Sequence, residues 1–250
     1  MYRNIMNIAC PSYNRYETIG KKTLTFLLTM NGVSRDNVTI FVADKEQYNL
    51  YTEHNPGWKV VIGEKGIVNI RNFINKYYDK DAYVVSIDDD VTSLLSLDDT
   101  ESNNLFIDAK KEMDMTGLTL WGVNPVKNKF FMKGQDKITH NLKFCIGVLH
   151  GFINKRFVLP IETAGKEDYV NTIFHYSNYG GVIRFNHICP ETVYFATGGI
   201  GSKKERRIQN EIAFNYIIDN YERYASARRR KDGTGEIRLN WGHRFPLATA

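Results

Sequence analysis

An α/β fold built on a mostly parallel, doubly wound sheet is the class this sequence predicts, and three observations predict it. Short apolar, strand-like runs alternate with helical patterns through the first hundred residues. Polar and acidic residues gather where those runs end, which in such sheets is the ligand-binding edge. The chain has 250 residues, 42% hydrophobic and 24% charged, enough to bury a sizeable core in one domain.

Residues 5–10 read as the first strand, followed by the loop Pro11-Ser12-Tyr13-Asn14-Arg15 and a helix over 18–30 with Leu24, Phe26, Leu27 and Leu28. The second strand, 38–43, is ended by Asp44, and a polar segment leads to a third strand at 59–62. Gly63-Glu64-Lys65-Gly66 opens a helix with Ile67, Ile70, Phe73, Ile74 and Tyr77 on helical spacing. The fourth strand, 82–87, runs straight into Asp88-Asp89-Asp90. Further on the pattern predicts a helix over 105–115, a strand over 118–123 and a polar excursion over 127–137. A strand over 144–149, a helix from Glu167 towards Ser177 ended by Gly180-Gly181, and a strand over 182–185 follow. No internal repeat, low-complexity tract or proline-rich linker interrupts the chain.

The Asp88–Asp90 run is the sharpest chemical signal. Adjacent carboxylates repel, and a positive group among them relieves the cost. A divalent cation is the usual solution, since Mg2+ and Mn2+ take oxygen ligands and often only one or two protein carboxylates. On an extended strand Asp88 and Asp90 share a side, with Asp89 opposite. The plain alternative is an acidic turn.

Charge is unevenly distributed. Residues 201–250 hold 11 Lys and Arg against 6 Asp and Glu, leaving 22 of each in residues 1–200, so the formal excess of +5 lies in the last fifth. It concentrates in Lys203-Lys204-Glu205-Arg206-Arg207 and Arg228-Arg229-Arg230-Lys231, separated by a helical pattern. Such clusters suit nucleic-acid phosphates, or simply a solvated helix flank. Cys10, Cys145 and Cys189 are odd in number, far apart and in apolar surroundings, which reads as buried thiols and not as a disulfide or zinc framework. No apolar run approaches the ~20 residues of a membrane span, and no signal-peptide pattern opens the chain, so a cytoplasmic location is expected.

Taken together, the Pro11–Arg15 loop, Asp44, Arg71-Asn72, Asp88-Asp89-Asp90 and Glu167-Asp168 resemble GT-A fold glycosyltransferases. Glu167-Asp168-Tyr169, Gly180-Gly181 and Thr197-Gly198-Gly199-Ile200-Gly201 are similar, more specifically, to the TET-associated glycosyltransferases. That largely viral group is thought to glycosylate hydroxymethylated pyrimidines in DNA, which would put this chain in a host-cell cytoplasm. The resemblance covers about residues 7–207. It implies a UDP-sugar donor, such as UDP-glucose or UDP-N-acetylglucosamine, and a Mn2+ or Mg2+ ion that stabilises the diphosphate leaving group.

By the same resemblance Asp90 is the principal metal ligand, and Asp88 touches the ribose or a metal-bound water, with Asp89 able to fill either role. Pro11, Tyr13 and Arg15 line the nucleotide pocket and Asp44 accepts from uracil or ribose. Arg71 faces the diphosphate or donor sugar, unless it is a surface arginine paired with an acid. Asp168 is the general base, with Glu167 holding a donor or acceptor hydroxyl; ordinary helix capping is the plain reading of that pair. His175, His187 and His243 are candidates to complete the metal shell, His243 first because Trp241-Gly242-His243-Arg244 is an aromatic and basic cluster. The glycine-rich 197–201 loop offers backbone N–H groups to phosphate.

The expected organisation is one domain. Residues 1–100 take the nucleotide-sugar, 101–201 form an irregular acceptor side, and 202–250 supply a basic helix and tail whose Lys203, Lys204, Arg206, Arg207, Arg228, Arg229, Arg230 and Lys231 would hold DNA phosphates. The competing readings are a saccharide, lipid or protein acceptor, and a catalytically silent nucleic-acid-binding module. The two acidic motifs speak against the module, because clustered carboxylates do nothing for polyanion binding.

Overall fold

The computed structural model describes residues 6–97, 102–192, 203–230 and 233–240. In chain order these form β1 (Asn7–Pro11), α1 (Thr23–Leu27), β2 (Val38–Val42), α2 (Lys45–His54), β3 (Lys59–Ile62), α3 (Ile67–Tyr77), β4 (Tyr83–Ile87) and β5 (Ser93–Ser96). They continue with α4 (Leu105–Thr116), β6 (Leu120–Val123), α5 (Lys129–Met132), β7 (Ile138–Thr139), β8 (Leu149–Ile153) and α6 (Glu167–Tyr179). The last are β9 (Ile183–Phe185), β10 (Ile188–Glu191), α7 (Lys203–Asn220), β11 (Ala225–Arg229) and β12 (Gly235–Leu239).

Eight strands make the main sheet in the order β3-β2-β1-β4-β8-β6-β9-β7. The first four are parallel, so the ends of β1, β2, β3 and β4 open on one edge. The other half is mixed: β8 runs antiparallel between β4 and β6, β9 is parallel to β6, and β7 is antiparallel to β9.

Both faces are covered. Ile8, Cys10, Ile40, Val42, Val85 and Ile87 pack with residues of α1, α2 and α4 on one side. The alternate residues Ala9, Phe41 and Val84 pack with α3 and α6 on the other, where α7 and the β11–β12 hairpin add Phe214, Ile217, Ile237 and Leu239. Strands buried on both faces explain the solidly apolar runs of β2 and β4. The three cysteines are buried thiols. No helix among the described residues is long and apolar enough to cross a membrane.

Several expected elements change. The helix over 18–30 is a single 3-10 turn, Ile19–Lys21, followed by the short α1, because Lys22 (φ −112°, ψ −102°) interrupts the ladder. The polar segment after Asp44 is the ten-residue α2, capped by the Asp44 carboxylate accepting from Gln47 N at 2.9 Å. The strand expected at 144–149 begins only at Leu149. The residues before it form a loop that brings Gly147 against Arg71 and Asp168. Arg228 and Arg229 lie on β11, paired in register with Glu236 and Gly235 of β12, and not in a tail.

Gly151 on β8 is required for close packing. A Cβ there would lie 2.2 Å from Nε1 of Trp121. That ring is fully buried and donates to Tyr83 Oη, which donates to Phe106 O. Gly151→Ala is expected to cost about 3 kcal/mol through overpacking. Chemical denaturation checks this, and an unchanged midpoint would contradict the packing.

Candidate active site

The parallel edge gathers three loops on one cleft of ≈ 160 Å³, lined by Pro11, Ser12, Tyr13 and Arg15 from β1, Glu64–Ile67 at the start of α3, and Asp88 and Asp89 after β4. Asp44 is not in this lining, where its neighbour Ala43 stands instead. The Asp44 carboxylate caps α2, so its expected contact with uracil or ribose competes with a structural role.

Helix α2 builds the loop. Gln47 and Asn14 exchange two hydrogen bonds, Asn14 N to Oε1 at 2.9 Å and Nε2 to Asn14 Oδ1 at 2.7 Å, which holds Asn14 in the left-handed region (φ 55°). Tyr51 Oη accepts from Arg15 N at 2.9 Å and bonds Ser12 Oγ. Ser12 in turn donates to Asp89. Tyr51→Phe removes this tie and leaves Arg15 N unpartnered, an expected loss of about 1–2 kcal/mol. Denaturation measures that loss, and a several-fold rise in donor KM at unchanged kcat reports the loosened loop.

β4 ends at Ile87, so the carboxylates occupy a turn and the strand alternation does not extend to them. Asp89 and Asp90 both face Arg15, Asp90 at 2.9 Å, while Asp88 faces Arg71 at 3.9 Å. The expectation that Asp88 and Asp90 share a side is therefore corrected: Asp89 and Asp90 share a cation. Thr23 pins the turn, donating to Asp88 O at 2.8 Å and accepting from Val91 N at 3.0 Å.

Two arginines supply the positive charge that three carboxylates require, yet the compensation is incomplete. Burial, opposed by Arg71, pushes the Asp88 carboxyl up to about 7, and burial also raises Asp89. About a third of the Asp88 side chain still reaches the cleft, so this group can both desolvate and meet a ligand. The donor set is all oxygen, which fits Mg2+ or Mn2+ held by one or two carboxylates, with diphosphate and water completing the shell. Among the described residues no three His, Cys, Asp or Glu side chains form a ready coordination group. His175 and His187 therefore do not join the carboxylates. His175 is buried against Thr119 Oγ1 at 2.7 Å, with its pKa driven down to about 3, and His187 bonds Lys137 O.

Arg71 connects the two acidic motifs. It is largely buried, donates through Nε to Glu167 Oε1 at 3.1 Å and through Nη2 to Gly147 O at 3.2 Å, and faces Asp88. It is not a surface pair. Glu167 also accepts from Gly165 N at 3.0 Å, so its carboxylate reaches out of α6 instead of capping it. Asp168 Oδ2 accepts from Gly147 N at 3.2 Å and Oδ1 from Tyr169 N at 3.0 Å. Burial first, then the neighbouring Glu167, push its carboxyl up to about 7. Gly147 fits because a Cβ would meet Arg71 Nη2 at 2.7 Å.

The basic residues are placed differently from the acidic ones. Arg206 and Arg207 lie exposed on α7, which begins at Lys203 and Lys204. Arg229 pairs with Glu211 at 2.7 Å, Arg230 with Glu236 at 3.0 Å, and Arg228 approaches Glu236 at 3.8 Å, so two glutamates share three arginines. Lys231, His243 and the 197–201 loop lie outside the described residues. Thr23, Gln47 and Tyr51 were not expected at the site, and Ser12 was expected only as a member of the Pro11–Arg15 loop. The one sequence signal for them is the Asp44-x-x-Gln47 spacing of a helix cap.

No protein-family model matches the chain, and no curated protein matches it. Solved structures do. S. aureus TarS 1–349 in complex with UDP-GlcNAc aligns with TM-score 0.57 at 12% identity, over 86% of this chain and 66% of that one. The mannosyltransferase PcManGT from Pyrobaculum calidifontis, in complex with GDP-Man and Mn2+, aligns with TM-score 0.53 at 16% identity, over 86% and 64%. Glucosyl-3-phosphoglycerate synthase from Mycobacterium tuberculosis, in complex with Mn2+, UDP and glucosyl-3-phosphoglycerate, aligns with TM-score 0.53 at 10% identity, over 98% and 88%. The chain thus spans about two thirds of the length of the first two. The sheet and its helices define the mixed α/β, GT-A class of fold that these glycosyltransferases share. Identity this low defines the fold alone.

Proposed function

We propose that this chain is a metal-dependent glycosyltransferase that moves a sugar from a UDP-sugar to the hydroxymethyl group of a modified pyrimidine in DNA. The observation that carries the enzyme reading is the link Asp88–Arg71–Glu167 with Gly147–Asp168, which joins the cleft at the parallel edge to a carboxylate of raised pKa. The UDP-sugar donor and Mn2+ or Mg2+ are supported by the neighbours of this fold, crystallised with UDP-GlcNAc or with UDP and Mn2+. The DNA acceptor is supported by the resemblance of the Glu167-Asp168-Tyr169 and Gly180-Gly181 motifs and by the exposed Arg206 and Arg207 of α7.

Pro11, Tyr13 and Arg15 would hold the nucleotide, and Asp90 and Asp88 the metal. The ion, when bound, stabilises charge developing on the diphosphate. Asp168 takes the proton of the acceptor hydroxyl as that oxygen bonds to the anomeric carbon and the bond to the diphosphate breaks. Base and leaving group on opposite sides of the sugar give single displacement with inversion. Arg71 steadies Glu167, which holds a sugar or acceptor hydroxyl, and offers its charge to the leaving-group side.

The test is incubation with UDP-glucose and UDP-N-acetylglucosamine, with Mn2+ or with EDTA, and oligonucleotides carrying 5-hydroxymethylcytosine, 5-hydroxymethyluracil or neither, read by intact mass. An increment of one sugar, hexose or N-acetylhexosamine according to the donor, on hydroxymethylated strands alone and abolished by EDTA, is the expected result. Metal-dependent donor hydrolysis without any oligonucleotide product would move the acceptor to another class. No donor turnover at all would defeat the enzyme reading.

A further inference from the structure

A second cleft of ≈ 740 Å³ lies between the 134–144 segment, the start of α6 and β12. At its base is Arg184, the central residue of β9. Ile183 and Phe185 turn to one core layer, and Arg184 turns to the other, where the alternation of a doubly covered strand calls for an apolar side chain. It is 7% exposed, yet no carboxylate pairs with it among the described residues. Nη1 donates to Phe144 O, and the buried Nε has no partner.

Burial pulls the guanidinium below its ordinary range, and only the Cys145 and Cys189 thiols act against that. Lys143 borders the same cleft, and its ammonium is pulled down by burial and by Arg184 itself. Lys143, Arg184 and Arg238 line the cleft against a single lining carboxylate, Asp136, which makes a site short of an anion. The cleft wall is aromatic: the Phe144 and Tyr169 rings stack at 4.1 Å. Tyr169 follows Asp168 in sequence, and Phe144 lies three residues before Gly147, whose N–H holds the Asp168 carboxylate.

From this arrangement we infer that the Arg184–Lys143 cleft is an acceptor subsite that takes a phosphate group beside a flat ring, which under the DNA reading is a phosphodiester flanking the modified nucleotide. This identification of the ligand rests on the proposed acceptor; the anion site itself does not. A phosphate in the cleft would supply the anion that these cationic side chains lack. The Phe144–Tyr169 wall would stack on a neighbouring base.

Arg184→Met and Lys143→Gln test it. Replacing an unpaired buried charge by an apolar side chain of similar volume is compatible with folding, so Arg184→Met should melt no lower than the wild type. Binding of a labelled single-stranded oligonucleotide carrying 5-hydroxymethylcytosine is measured by anisotropy across salt concentrations. The expected loss is about tenfold or more for Arg184→Met and about threefold for Lys143→Gln, with the log–log salt slope shallower by about 0.7 for each phosphate contact removed. Donor hydrolysis stays at the wild-type rate. Inorganic phosphate should raise the melting temperature of the wild type but not of Arg184→Met. If it does so while no oligonucleotide binds or is glycosylated, the anion site stands and the DNA acceptor falls. If both variants bind and glycosylate the oligonucleotide as the wild type does, or phosphate stabilises wild type and Arg184→Met equally, the inference is overturned and the acceptor reading is untouched.

Discussion

Asp168→Asn is expected to reduce sugar transfer by a factor of about 10³, within the range that a positioned general base contributes, while donor affinity stays within twofold of the wild type. Asparagine keeps one acceptor oxygen, so it can accept from Gly147 N or from Tyr169 N, which bond different oxygens of Asp168, and it cannot take the acceptor proton. The pH dependence gives a second readout. A base works when ionised, and burial with Glu167 nearby raises the Asp168 carboxyl to about 7, so wild-type transfer at low substrate should rise as pH passes upward through about 7 and then level off. Stability moves the other way. Between the unfolded value near 4 and about 7, the native state keeps a proton that the unfolded chain has lost, so stability falls as pH rises through that window. Asp168→Asn, which does not titrate, should abolish this part of the fall. Single-turnover intact mass and thermal melts at pH 5 and 8 measure both. Transfer at near wild-type rate would remove Asp168 from the base role, whatever the melts show.

What the sequence makes legible follows from how strongly each element advertises its buried side. β1, β2, β4 and α3 carry apolar residues on regular spacing, and the acidic run at the end of β4 can be read as a site because parallel strands open their ends on one edge. Helix α2 is hidden because only Gln47 and Tyr51 of its ten residues are buried, and both serve the Pro11–Arg15 loop more than the core. β8 is displaced from its expected place because the apolar run from Phe144 to Val148 packs against the core as a loop, while Leu149–Ile153 does the pairing. The β11–β12 hairpin reads as a basic tail because its apolar evidence is only Ala225, Ile237 and Leu239. At the site, strand alternation pairs Asp88 with Asp90, whereas the arginines, reaching in from the first loop and from α3, pair Asp89 with Asp90. Partner choice of that kind is a tertiary fact. So is the buried isolation of Arg184, which in sequence is one arginine among many.

Arg71→Met is expected to be the most damaging single change at the site, since it withdraws the one cation shared by both acidic motifs. Glu167, 6% exposed, would keep only the Gly165 N–H as a partner, and Asp88 would face its neighbours without an opposing charge. Removing one member of a buried pair strands the other, at a cost of about 3–5 kcal/mol. Transfer should fall at least as far as in Asp168→Asn, because Glu167 and the Gly147 loop that positions Asp168 both lose their anchor. Arg71→Lys separates charge from geometry: one ammonium cannot reach Glu167, Gly147 O and Asp88 as the guanidinium fork does, so it should recover part of the stability but little of the rate. The cost in Arg71→Met arises from stranded carboxylates, and protonation relieves it. Urea denaturation should therefore show the penalty large at pH 8 and shrinking as the pH is lowered towards 5. A penalty independent of pH would mean that Arg71 acts through packing of its aliphatic stem, and a variant within 1 kcal/mol of wild type that still transfers sugar would dissolve the link between the two motifs.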